Sequence, residues 1–138
     1  MPIIRVLNWP SEMQKADWRQ IREEDDIVKF FRYAYIKDQR YLKNLGNRLK
    51  KACIDTQIPR VDSERLISVS FDIGSLLPDT TLVILVEGLF DTPDRTKEIR
   101  DKLAKFLTEA VKPFIPNEWE VEVLVKRFDP EKDSYIKV

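Results

Sequence analysis

A chain of 138 residues, 43% hydrophobic and 35% charged, is the size of one ordinary globular domain, and can bury roughly 70% of its unfolded surface without a metal or a disulfide. Its 24 basic and 24 acidic side chains cancel, which argues against a dedicated nucleic-acid binder and against general attraction to an anionic membrane. With no histidine and the single cysteine Cys53, an internal disulfide, the usual zinc sites and histidine-dependent nucleophile systems are all excluded.

Residues 2–9 read as a β-strand that begins at once and ends at Pro10 and Ser11. A polar stretch follows, with the acidic run Glu23 to Asp26 leading into Ile27, Phe30, Phe31, Ala34 and Tyr35 at helical spacing. Leu42, Leu45, Leu49, Ala52 and Cys53 repeat that spacing. The length of the combined pattern favours two helices with a break near Lys37 to Arg40. After Ile58-Pro59, residues 66–73 alternate, with Ile67, Val69, Phe71 and Ile73 on one face. Residues 81–90 form a nearly continuous apolar run, as in a strand inside a sheet. Asp91-Thr92-Pro93 reads as a helix start, followed by Ile99, Leu103, Phe106, Leu107, Ala110 and Val111 on one face. Pro113 and Pro116 close that helix, and residues 119–128 alternate as a last strand before a charged tail.

The order is β-α-β twice, and the halves echo each other. Each opens on a strand ending in an aromatic residue, Trp9 or Phe90, and each helix ends at an Ile-Pro pair. The expectation is one α/β (α+β) domain over residues 1–138, with pseudo-two-fold symmetry and a four-stranded sheet carrying its helices on one face. The first unit covers about 1–74 with a helical insertion at about 10–38, and the second about 80–138. The insertion carries Trp18, Phe30 and Phe31, apolar enough that it should pack on its own domain or on a neighbouring subunit.

Two folds share this order, the ferredoxin-like fold and that of the tautomerase superfamily. The start Met1-Pro2-Ile3-Ile4, the junction Gln57-Ile58-Pro59 before the second strand, and Val86-Glu87-Gly88 ahead of a helix with Ile99-Arg100 resemble the tautomerase superfamily. That family includes 4-oxalocrotonate tautomerase and macrophage migration inhibitory factor. The resemblance covers most of the chain except residues 10–38, and the tail from Phe128 departs from it by lacking a glycine-rich closing segment. It implies that Pro2, once Met1 is removed, becomes an N-terminal secondary amine and catalytic base, and that the protein assembles as a homotrimer.

A free α-amino group has a pKa near 8, and burial beside cations lowers it towards neutrality, where a base suits enol-keto proton transfer. The plainer alternative is that Pro2 opens an edge strand, where its missing N–H is harmless. A small α-keto or enolisable acid needs a cation beside the base, and arginine fits a carboxylate best. The candidates are Arg5, Arg60, Arg65, Arg95 and Arg127; Arg95 leads because tautomerases tend to place a substrate arginine in that loop-to-helix region. Trp9, Phe128 and Tyr135 are candidates for an apolar pocket wall, while Tyr33, Tyr35 and Tyr41 read as helix packing with a polar tip. Cys53, on an apolar helix face, reads as a buried inert thiol.

Three functional readings stand. One is a tautomerase-like enzyme with Pro2 as general base. The second is a catalytically silent protein that keeps the fold and assembly, as a retained Met1 would produce. The third is a ferredoxin-like ligand-binding module, whose first and third strands would lie side by side in parallel. None calls for a cofactor, a metal or a membrane, and the charge balance and lack of an aromatic RNA-binding signature argue against RNA as the ligand of the third. No apolar run approaches the roughly 20 residues of a span and no signal peptide leads the chain, so the expected location is the cytoplasm.

Overall fold

The computed structural model describes residues 1–12, 24–72 and 80–137. Its elements run β1 (Ile3–Leu7), α1 (Glu24–Asp55), β2 (Ser68–Asp72), β3 (Thr81–Phe90), α2 (Lys97–Val111) and β4 (Glu120–Phe128). The four strands form one sheet in the order β2-β1-β3-β4. β1 runs parallel to β2 and β3 parallel to β4, so each β-α-β unit contributes a parallel pair. The two pairs meet at β1 and β3, which run antiparallel, with Ile3 opposite Glu87 and Leu7 opposite Val83. That junction removes the ferredoxin-like reading, which requires those two strands to be parallel neighbours. It also puts β1 inside the sheet, so Pro2 does not open an edge strand.

Strand alternation sends Ile4 and Val6 of β1 and Leu82, Ile84 and Val86 of β3 into the core, all fully buried. Both helices cover that face. α1 supplies Leu45, Leu49, Ala52 and Cys53, and α2 supplies Leu103, Leu107 and Val111. On the opposite face Arg5 bridges neighbouring strands, pairing with Asp72 of β2 at 2.6 Å and facing Glu87 of β3 at 3.6 Å.

Three boundaries differ from the sequence reading. α1 is a single helix of 32 residues, without a break at Lys37 to Arg40. Buried Ala34 and Asp38 continue the seam of Leu45 and Leu49, and no proline interrupts it, so one buried stripe carries the helix through. Asp38 ties the entry chain down by accepting hydrogen bonds from Ser11 Oγ (2.9 Å) and the Glu12 backbone N–H (2.8 Å). α2 begins at Lys97, capped by Thr96, whose hydroxyl accepts from the Ile99 N–H. Asp91-Thr92-Pro93 is a turn instead, closed by the Arg95 N–H on the Thr92 carbonyl. Leu66 belongs to a one-turn 3-10 helix, Glu64–Leu66, capped by Ser63, and β2 starts two residues later.

The insertion of about 10–38 is described only in part, since Trp18 and the rest of 13–23 lie outside the described residues. From Glu24 onward it is helical, as the first half of α1. Tyr41 packs as expected, stacking on Trp9 and donating its hydroxyl to the Phe114 carbonyl at 3.0 Å. Tyr33 and Tyr35 do not, being 52% and 64% exposed together with Val28 and Ile36 on the projecting helix.

Two outcomes test this architecture. Gln39→Pro, at an exposed position in mid-helix, is expected to destabilise the protein by about 3 kcal/mol in a urea titration. A linker there would tolerate it. Burial pushes the Cys53 thiol up to about 11, so between about pH 9 and 11 the unfolded thiol loses its proton while the folded one keeps it. The unfolded state then binds fewer protons, and stability falls as pH rises through that window. The urea midpoint should drop between about pH 9 and 11, and less so in Cys53→Ala.

Candidate active site

Because β1 and β3 are antiparallel, the start of the chain lies beside the C-terminal end of β3. The parallel β3–β4 pair brings the end of β4 to the same place, with Phe90 opposite Phe128. The segment after α1 and the turn before α2 also arrive there. Together they enclose a cavity of about 800 Å³ lined by Pro2, Arg60, Arg95, Phe90, Phe128 and Tyr135, among others.

Pro2 is buried at the cavity wall, its carbonyl accepting the Ser68 N–H at 3.1 Å. Met1 ahead of it is 66% exposed. The chain start crosses directly over Gly88, where β3 bulges between Val86 and Leu89. Gly88 has φ +72°, and a Cβ there would stand 2.6 Å from the Met1 carbonyl oxygen. Only glycine meets both demands without strain.

Arg95 is held by backbone. Its Nε and Nη2 donate to the Pro59 carbonyl at 3.2 and 2.9 Å, and its Nη1 donates to the Phe90 carbonyl at 3.2 Å. Three of its donors are thus engaged, leaving two of the five in a guanidinium. No carboxylate among the described residues forms a salt bridge with it. Partial burial, and secondarily the repulsion of Arg60, lower its pKa from the ordinary arginine value, with a smaller opposing pull from Asp94. It remains a cation at any physiological pH.

Arg60, in the left-handed region at φ 65°, is tied down differently. Its two terminal nitrogens grip the Asp94 carboxylate at 2.7 and 2.9 Å, and Nη2 also donates to Thr92 Oγ1 at 2.8 Å. Hydrogen bonds from Arg60 and Thr92 hold the Asp94 carboxyl well below the usual carboxylate range.

The apolar wall is an aromatic trio. Phe90 stacks on Phe128 with centroids 5.1 Å apart, and Tyr135 from the tail meets Phe90 edge-on at 4.8 Å. The tail is turned back by Asp129, whose carboxylate accepts the Glu131 N–H and whose carbonyl accepts the Lys132 N–H.

Of the residues singled out by sequence, Pro2, Arg95, Arg60, Phe128 and Tyr135 meet at this cavity. Arg5 does not, lying on the open sheet face between Asp72 and Glu87. Arg127, on the edge strand β4, sits 3.6 Å from Asp91, and Arg65 is exposed in the 3-10 helix. Trp9 is a core residue, 4% exposed and packed on Tyr41 and Phe71, away from the cavity. Sequence reasoning missed Phe90 as a wall and Asp94 as the partner of Arg60. The stranded aromatic at the end of an apolar run hinted at Phe90; nothing local marked Asp94. Among the described residues, no group of three His, Cys, Asp or Glu side chains is placed to hold a metal ion.

No protein-family model matches the chain, and no curated protein matches it by sequence. Solved structures do. A fused 4-OT asymmetric trimer superposes with a TM-score of 0.55 at 14% identity, covering 96% of this chain and 91% of that one. Macrophage migration inhibitory factor of Toxoplasma gondii gives 0.55 at 10% identity, covering 96% and 95%. FG41 malonate semialdehyde decarboxylase, inhibited by 3-bromopropiolate, gives 0.51 at 12% identity, covering 98% and 89%.

Gly88→Ala is expected to destabilise the protein by at least about 1–2 kcal/mol in a urea titration, the penalty of left-handed backbone for a residue with a Cβ. An unchanged midpoint would mean that the backbone at this position leaves the left-handed region without cost. The two antiparallel β-α-β units, their single covered face and these superpositions give the chain the fold of the tautomerase superfamily.

Proposed function

We propose that the protein is a tautomerase-like enzyme that moves a proton between carbon and oxygen of a small α-keto or enolisable acid. The observation that carries this reading is the meeting of Pro2 and Arg95 in one cavity with an aromatic wall. With Met1 removed, the Pro2 nitrogen is a secondary amine whose lone pair can accept a proton. Low-dielectric surroundings and the Arg95 cation disfavour its protonated form, so it acts as a base near neutral pH. Arg95 holds the acid's carboxylate, and its charge stabilises the enolate that forms as the proton leaves carbon. The same amine, now protonated, returns the proton to the other end of the enolate. Phe90, Phe128 and Tyr135 seat the apolar body and thin the water around the base.

Inhibition of one structural neighbour by 3-bromopropiolate, itself a small acid, supports this ligand class. A fused 4-OT neighbour is a trimer, which supports assembly of this chain as a homotrimer. The exposed Val28, Tyr33, Tyr35 and Ile36 of α1 give such an assembly apolar surface to cover. A cytoplasmic location accompanies the reading; no helix among the described residues is long and apolar enough to cross a membrane.

The alternative is a silent binding protein in which Met1 stays attached and the Pro2 nitrogen is an amide. Intact mass of protein from its native cells separates the two. Loss of Met1 is expected. With it, Pro2→Ala, or one residue added ahead of Pro2, should lower enol-keto turnover of an arylpyruvate by about 10²–10⁴-fold. Full activity in either variant, or a retained methionine, defeats the catalytic reading.

A further inference from the structure

The two arginines of the cavity are electrostatically unequal, and the inequality bears on which acids the site accepts. Arg95 has no carboxylate partner among the described residues and keeps two donors free of backbone. Arg60 is occupied. Asp94 takes both of its terminal nitrogens in a fork-to-fork contact, the strongest geometry available to a carboxylate, and Thr92 braces both partners by accepting from Arg60 and donating to Asp94 at 2.7 Å. Arg60 keeps its Nε–H and one Nη1–H, as Arg95 keeps two donors, but its charge is already matched by a carboxylate and that of Arg95 is not. A second carboxylate entering beside Arg60 would meet a cation already matched and the negative charge that matches it.

We infer that Asp94 is a specificity-determining residue, which holds Arg60 out of service and sets the cavity to take acids with one carboxylate and an apolar body rather than acids with two. Asp94 touches no substrate; it acts through Arg60. This rests on reading the cavity as an acid-binding site, and adds to it the charge of the ligand. The remaining lining agrees. Beyond Arg95 the carboxylate's neighbours are Phe90, Phe128 and Tyr135, which suit a ring or a branched chain and offer no second anion its counter-charge. Lys137 borders the cavity too, but from the exposed end of the tail, where water and salt screen it.

The test is a binding titration with two unreactive probes of matched shape, phenylacetate with one carboxylate and 4-carboxyphenylacetate with two. Wild-type protein should bind phenylacetate more tightly. Asp94→Asn keeps the size and the Thr92 contact but removes the charge, freeing Arg60. The affinity ratio should then move towards the dianion by about tenfold, the scale of one new charge-assisted pair. Asp94→Glu should keep the wild-type ratio, and Arg60→Gln added to Asp94→Asn should erase the gain. The pair is half-exposed, so these variants should fold, which circular dichroism checks. An unchanged ratio in Asp94→Asn, a wild-type preference for the dianion, or no binding of either probe overturns the inference. The readout needs no turnover. A protein that retains Met1 can still show the shift, leaving this inference standing while catalysis falls. A working Pro2 base with an unmoved ratio does the reverse.

Discussion

The antiparallel pairing of β1 with β3 is the constraint on which the rest of this molecule depends. Each β-α-β unit builds only a parallel pair with a helix laid across it, and neither pair closes a core alone. Joining them through β1 and β3 makes one sheet with one covered face, and buries Ile4, Val6, Ile84 and Val86 completely between the helices and the strands. The same register decides where the chain begins. Ile3 lies opposite Glu87, so the residue before β1 must pass over Gly88, and the end of β3 becomes the wall of whatever Pro2 faces.

Around that point the backbone does most of the positioning. Arg95 is oriented by the carbonyls of Pro59 and Phe90, one from each half of the chain, rather than by an acidic partner. A guanidinium held this way keeps its charge available, since a carbonyl dipole orients it without neutralising it. Arg60 shows the opposite arrangement four residues after buried Thr56, with its charge consumed by Asp94. Two residues of the same type in the same cavity thus differ in what they can do. Arg5 makes the point again on the far face of the sheet, where it serves strand pairing through Asp72 and Glu87.

Much of the fold could be read from the chain because its signals are local and repeated. Alternation in residues 66–73 and 119–128, the apolar run of β3 and the 3.6-residue stripe from Ile99 to Val111 each report which face is buried. The errors fell where local and tertiary preferences diverge. Asp91-Thr92-Pro93 has the chemistry of a helix start, yet Thr92 and Asp94 are engaged by Arg60 and the helix waits for Thr96. The length of α1 argued for a break, but the seam through Ala34, Asp38 and Leu45 holds a single helix against the domain.

By itself the sequence determined the element order, the core faces, the likeness between the halves and the candidacy of Pro2 and Arg95, because periodicity and residue chemistry are properties of neighbours along the chain. Tertiary structure alone decided that β1 and β3 run antiparallel, that Trp9 belongs to the core while Phe90 belongs to the cavity, and that Arg60 is neutralised by a residue 34 positions away. Those outcomes depend on contacts between segments distant in sequence. Their energies are settled only when the sheet closes and each arginine meets the carboxylate or carbonyl that folding has carried to it.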